Sequence, residues 1–184
     1  GQTLYAKRLA NDYVTHFSAN GGSGSMASQP AVWDTPLTLS ANQFTRRGYT
    51  FAGWENTYGD GQTYTDGQEV TNLAGKFQGS RATLYARWTP VTYTVTFDAN
   101  GGSGSMSSQG HTYDQSAALP ECTLTAPGEL EFAGWALEAG GPVRYRDGSG
   151  VRNLTATQGA AVTLYPVWRT PIEDQYQERL ETVL

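Results

Sequence analysis

Two stretches of the chain invite a chemical reading, SANGGSGSM at Ser18–Met26 and DANGGSGSM at Asp98–Met106. Clustered glycines let backbone N–H groups close around an anion, as in phosphate-binding loops. Such a loop needs a helix opening directly behind it, and SMASQPAVW offers no helical pattern. The phrase instead follows one alternating segment and precedes another. It therefore reads as a hairpin loop whose glycines supply positive φ.

The other chemistry-bearing residues meet similar tests. Asp60, Asp66 and Asp147 sit in glycine-rich turns and suggest calcium. Yet NTYGDGQTYTDGQE lacks the alternating oxygen ligands and terminal glutamate of an EF-hand, and Asp-Gly is an ordinary turn dipeptide. No metal and no cofactor is expected. Cys122 and His111 are eleven residues apart and could form a thiol–imidazole pair, given contact and an orienting partner. Asn153-Leu154-Thr155 spells a glycosylation sequon. An intramolecular Lys–Asn cross-link would have to use Lys7 or Lys76, the only lysines. Aromatics that could stack on sugars are Tyr58, Tyr64 and Tyr145 in the long loop after Gly-Trp, with Trp33 and Tyr113 as alternatives. Packing in a core or turn is the simpler reading for each.

The elements that would position these residues follow from a repeat. Pairing Tyr13 with Tyr93 gives a shift of 80, which carries Phe17 onto Phe97, Asn20 onto Asn100 and Met26 onto Met106. FAGW at Phe51–Trp54 meets FAGW at Phe132–Trp135 after one inserted residue, and Asn72-Leu73 meets Asn153-Leu154. TLYARW at Thr83–Trp88 then meets TLYPVW at Thr163–Trp168, with the shift restored. TLYAKR at Thr3–Arg8 looks like the last strand of a preceding copy, so the chain reads as a slice of a tandem array. His16, His111, Cys122, Lys7 and Lys76 have no counterparts of their own type under the shift. Catalysis by them is therefore outside the repeated plan, and no catalytic residue is assigned.

Strict alternation in YVTHFSA and YTVTFDA is the mark of half-buried strands. In GYTFAGW, alternation puts Tyr49, Phe51 and Gly53 on one side and Thr50, Ala52 and Trp54 on the other. TLYARW places Leu84, Ala86 and Trp88 on one face. Pro166, which cannot donate to a ladder, predicts an edge strand or an unpaired position. LSANQFT and LPECTLT could hold one helical turn at most, so each unit reads as about four strands with an irregular crossover. The fold class is α+β, strand-dominated.

Bulk composition narrows the function. The 184 residues include 38% hydrophobic, 12% aromatic and only 16% charged types, so the chain is not built like a disordered one. A net charge of −5 with scattered Lys and Arg argues against nucleic acid as a partner. No apolar run approaches the ~18 residues of a membrane span, so no membrane insertion is expected within this segment. One cysteine excludes an intrachain disulfide.

The combination of YTVTFDANGG, GYTFAGW, a Tyr-x-Asp-Gly and Asn-Leu stretch, and TLYARW resembles the Listeria–Bacteroides repeat, or internalin B-repeat, family. The departures are Arg8 for Trp, Pro166 for Ala, and Glu129–Glu131 where Gly48-Tyr49-Thr50 is more typical. The resemblance implies two tandem small β-grasp-like (ubiquitin-like) domains in an extracellular protein at a bacterial cell surface or cell wall, with no catalytic residues. The expected division is 1–12 as the strand of a preceding repeat plus linker, 13–88 as one repeat, 89–92 as linker, 93–168 as the second, and 169–184 as a linker or short helix. The expected function is a non-catalytic spacer that presents neighbouring domains of the same longer chain and contributes to adhesion. The alternative is a glycan- or host-protein-binding module using loop aromatics. An enzyme fragment has no recurring acid, base or nucleophile behind it.

The linker Thr89–Thr92 spans at most ~14 Å, and Pro90 restricts both itself and Thr89. Two bodies held end to end would give a radius of gyration of ~19–23 Å, against ~16 Å for one merged globule. Small-angle scattering on the monomer distinguishes them, and a value near the lower figure would contradict the spacer expectation.

Overall fold

The computed structural model describes residues 11–58 and 61–172. The strand expected at Thr3–Arg8, the helix expected beyond Pro171, Lys7 and Asp60 lie, wholly or in greater part, outside the described residues. The chain divides into two compact units between Thr89 and Pro90. Every named element is a β-strand. The two crossovers hold no helical turn, so the helical part of the α+β expectation has no element among the described residues.

In the first unit the strands are β1 (Asp12–Ser18), β2 (Gln29–Val32), β3 (Leu37–Thr38), β4 (Tyr49–Asn56), β5 (Thr63–Tyr64), β6 (Glu69–Val70) and β7 (Ser80–Pro90). They form a sheet in the order β2-β1-β7-β4-β5, with β3 and β6 paired apart from it. In the second unit they are β8 (Thr92–Phe97), β9 (Gln109–Thr112), β10 (Ala117–Ala118), β11 (Glu131–Ala136), β12 (Gly150–Val151) and β13 (Ala161–Arg169). Here the order is β11-β13-β8-β9, with β10 and β12 paired separately.

The first and last long strands of each unit lie side by side and parallel, with Tyr13 opposite Ser80 and Thr94 opposite Ala161. A parallel pair requires a long connection between its strands. That connection is the whole middle of the unit, and it supplies the second layer of the core. Leu39, Phe44, Val70 and Leu73 from the connection pack with Tyr13, Trp54 and Leu84 from the sheet. Leu119, Leu124 and Val151 do the same for the second unit.

Trp54 and Trp135 are completely buried. Phe17, Phe44 and Phe51 surround Trp54 at ring-centroid distances of 5.0, 6.0 and 4.9 Å. Phe97 and Phe132 each lie 4.9 Å from Trp135. Removing one such indole from water contributes roughly 4–6 kcal/mol, comparable to the net stability of a small domain.

Strict alternation fails in FAGW. Phe51 and Trp54 both face the core, although they are an odd number of residues apart. The glycine between them makes the difference. Gly134 has φ 143° at a register shift between β11 and β13, and Gly53 has φ 111°. A β-bulge of this kind absorbs one residue and returns the next side chain to the same face. A Cβ at Gly53 would come within 2.5 Å of the Tyr64 carbonyl oxygen, so only glycine fits.

Of the two expectations for Pro166, the edge strand is excluded, since β13 lies inside its sheet. The Leu164 carbonyl accepts from the Asp98 N–H, and Leu164–Phe97 is the last registered pair with β8. Two residues on, the proline nitrogen faces the same side just past the end of that ladder. The position is unpaired there, but it is not at an edge.

Replacing Trp54 by alanine should therefore cost about 3–5 kcal/mol in the first unit alone. The expected result is two separated thermal transitions, with the Trp135 unit unchanged. A single shifted transition covering both units would contradict independent cores.

Candidate functional site

The repeated glycine phrase is built around a second tryptophan. Trp88 donates from Nε1 to the Ala19 carbonyl at 2.9 Å, and Trp168 donates to the Asn100 carbonyl at 3.0 Å. Each ring lies flush against the loop. A Cβ on Gly22 would be 2.7 Å from the Trp88 ring and 2.8 Å from the Thr45 carbonyl oxygen. On Gly102 it would be 2.5 Å from the Thr125 carbonyl oxygen and 2.7 Å from the Trp168 ring. Asn20 and Asn100 take positive φ and donate from Nδ2 to the carbonyls of Ala86 and Pro166, each at 2.9 Å.

The loop's donors are thus turned inward. Gly22 N–H goes to Ala19, and Ser23 N–H goes to Thr45, whose own N–H returns to Ser23. A phosphate cradle needs such groups free and convergent. Here the loop bonds to the crossover, so it is broader than a tight hairpin.

Two further repeated devices hold the connection. Asn72 accepts the Asp34 N–H and donates to the Asp34 carboxylate, both residues standing at positive φ. Asn153 and Asp114 repeat the arrangement, and Arg152 adds an ion pair to Asp114 at 2.9 Å. The sequon asparagine is therefore committed at both ends of its side-chain amide. Asp66 accepts the Asn42 N–H, and Asp147 accepts the Cys122 N–H, each at 2.9 Å. These carboxylates tie turns to the crossovers. No group of three or more metal-ligating side chains occurs among the described residues.

The single-copy candidates are not brought into a catalytic pair. His111 lies on β9, stacked on Tyr93 at 5.4 Å, with Nε2 3.0 Å from the Gln109 side-chain oxygen. Cys122 packs at the margin of the core, and its burial raises the thiol pKa, against the thiolate a nucleophile needs. His111 is 4% exposed and its pKa is lowered by burial.

The candidate sugar-stacking aromatics separate as well. Trp33 follows edge strand β2, while Tyr64 is on β5 at the opposite edge of the same sheet and packs on the core. Tyr145 bridges to Trp135 beside β11, and Tyr113 follows β9 at the far edge. Tyr58 is the exposed one, at 58%. Its hydroxyl lies over Gly75, two residues from Phe77, which is 79% exposed. Phe77 was not legible as a surface residue, because exposure of a lone Phe leaves no pattern. Nor was the Arg46 guanidinium, stacked 3.9 Å over the Tyr49 ring and lying against Gly21.

The model of the Listeria–Bacteroides repeat domain matches residues 13–87 and again 93–166. A protein of Evansella cellulosilytica described as a Gly-rich membrane protein is 30% identical over 106 residues, covering 55% of this chain and 12% of its own length. Internalin H of Listeria monocytogenes is 31% identical over 108 residues, again 55% of this chain and 18% of its own. The chain thus spans less than a fifth of these relatives.

Gly102→Ala should destabilise the second unit by about 1–3 kcal/mol, because a carbonyl and an indole cannot both give way. Gly110→Ala, with nothing within 4 Å of its Cβ, should change the melting temperature little. Equal effects in thermal denaturation would show that the indole and carbonyl around Gly102 do not clamp the loop.

The lowered His111 pKa also has a sign. As pH falls, the unfolded chain takes up the proton before the folded one does. Stability of the second unit should therefore be full above the ordinary His range and decline between about pH 7 and pH 5. His111→Ala, which copies Ala31 of the first unit, should flatten that slope in pH-dependent melts.

Proposed function

The chain belongs to the Listeria–Bacteroides repeat family, and on that premise we propose that its two units are non-catalytic structural modules that space and present neighbouring domains of a bacterial surface protein. One observation carries the reading. The aromatic, asparagine and aspartate side chains repeated in register are engaged in holding their own unit together, and the repeated glycines Gly22 and Gly102 make room for them. Such units need only fold autonomously and join in series. We place the protein outside the cell, as the internalin relative and the membrane-protein relative favour. The parallel pairing of first and last strands supports a helix-poor member of the β-grasp class. Adhesion belongs to the same proposal.

The test replaces both units, within the full-length protein, by an unrelated folded spacer of similar length. Display of the neighbouring domains, read by antibody binding on intact cells, should be retained. Loss of display despite matched length would show a role beyond spacing.

A second reading, binding of a glycan or host protein, is favoured by the exposed Tyr58 and Phe77 on adjoining loops of the first unit. Neither has an aromatic counterpart in the second unit. A glycan array comparing the protein with its Tyr58→Ser, Phe77→Ser variant should show signals lost in the variant. No signal above background for either protein would end the glycan branch.

A further inference from the structure

The two units differ at one backbone position on a sheet edge. Among the described residues, β2 ends the sheet of the first unit and carries Pro30. Among them too, β9 ends the sheet of the second and carries Gly110 at the equivalent position. The Trp33 N–H donates inward to Asn11 and the Tyr113 N–H donates inward to Val91. Backbone groups alternate sides along a strand, so positions 30 and 110 face outward, away from their sheets. An edge strand with free outward groups is a template for another strand, and proline is a recurrent means of closing one. Pro30 has no N–H to offer. Gly110 offers both an N–H and a carbonyl, flanked by the outward N–H of Thr112.

The surroundings of Gly110 are open as well. A Cβ built there meets nothing within 4 Å, and the residue is exposed. A cleft of about 330 Å³ lies at this place, lined by Tyr93, Thr94, Gly110, His111 and Thr112 among others. The stacked Tyr93–His111 pair, on the core side, stiffens the strand beneath it.

We propose that β9 is a strand-addition edge at which two copies of this chain pair antiparallel. The exposed pattern is self-complementary, as a two-fold interface requires. With Gly110 opposite its partner's Gly110, each N–H meets the other's carbonyl. The Thr112 N–H then meets the outward Ser108 carbonyl of the second copy, twice by symmetry. The Thr112 carbonyl is not needed, since it already accepts the Gln115 N–H at 3.1 Å. Two glycines at the axis let the strands close without side-chain collision on that face. A four-residue contact is small, so the pairing is weak for one edge and gains when several such edges act together.

The full 184-residue protein tests this by analytical ultracentrifugation from about 1 µM to about 1 mM, beside amide hydrogen exchange. The wild type should dimerise with rising concentration, and Gly110 and Thr112 amides should gain protection in step. Gly110→Pro, which copies the proline already tolerated at this register in the first unit, should weaken dimerisation at least roughly tenfold. Pro30→Gly should open the second edge, adding association beyond the dimer and protection at position 30. If Gly110→Pro fails to fold, the concentration dependence of the Gly110 and Thr112 amides in the wild type decides alone. A wild type monomeric throughout the range, or dimerisation that leaves those two amides unprotected, would overturn the proposal.

Discussion

Each unit has room in its interior for one indole, and burial of that ring organises nearly everything else. Trp54 and Trp135 are reached from the sheet by the phenylalanines of the first and middle strands, and from the other side by leucines of the crossover. With about 75 residues and no disulfide, no other group in the unit removes as much apolar surface from water. The ring has a cost. Its Nε1–H is buried without a hydrogen-bond partner among the described residues in both units, a penalty of about 1–3 kcal/mol. The roughly 4–6 kcal/mol of apolar burial exceeds that penalty, so the indole wins on packing. An unbonded donor in the same place twice marks a position chosen for shape.

The second tryptophan does different work. Trp88 and Trp168 are only partly buried and use Nε1 to fasten the loop that follows the first strand. Through Phe51 and Phe132, at 5.7 and 5.9 Å, they also touch the aromatic cluster around the buried ring. The last strand, the first loop and the core are therefore one connected object. A sequence phrase that looks like an anion loop is instead the seat of an aromatic ring, and its glycines are explained by close approach as well as by φ.

Much of this was legible in the sequence because it is written twice. Alternation located β1, β8 and the closing strands, and register located the four tryptophans that recur, Trp54, Trp88, Trp135 and Trp168. Recurrence in register pointed to a buried Trp54, but how it shares a face with Phe51 was not legible, because alternation assigns the two to opposite faces and only the positive φ of Gly53 between them reverses that. The Asp34–Asn72 staple spans 38 residues, and no local pattern announces such a pair. Pro166 left an edge strand and an unpaired position both open, because its tolerance depends on where the neighbouring strand stops, which no local pattern marks. Differences between copies proved as informative as the repeats. Pro30 against Gly110 alters an edge, and Ala31 against His111 puts a titratable ring where the first core has a methyl group.

If each unit is organised by its buried indole, that ring opens only when its own unit unfolds, and exchange of the indole Nε1 protons measures this directly. In native-state exchange followed by NMR, the Trp54 and Trp135 Nε1 protons should exchange only through global unfolding of their units, although no described residue accepts a hydrogen bond from them. Their rates should track the slowest backbone amides of the β1–β7 and β8–β13 pairs respectively. Exchange of either indole by local fluctuation, many times faster than those amides, would mean the ring is not the centre on which the unit depends.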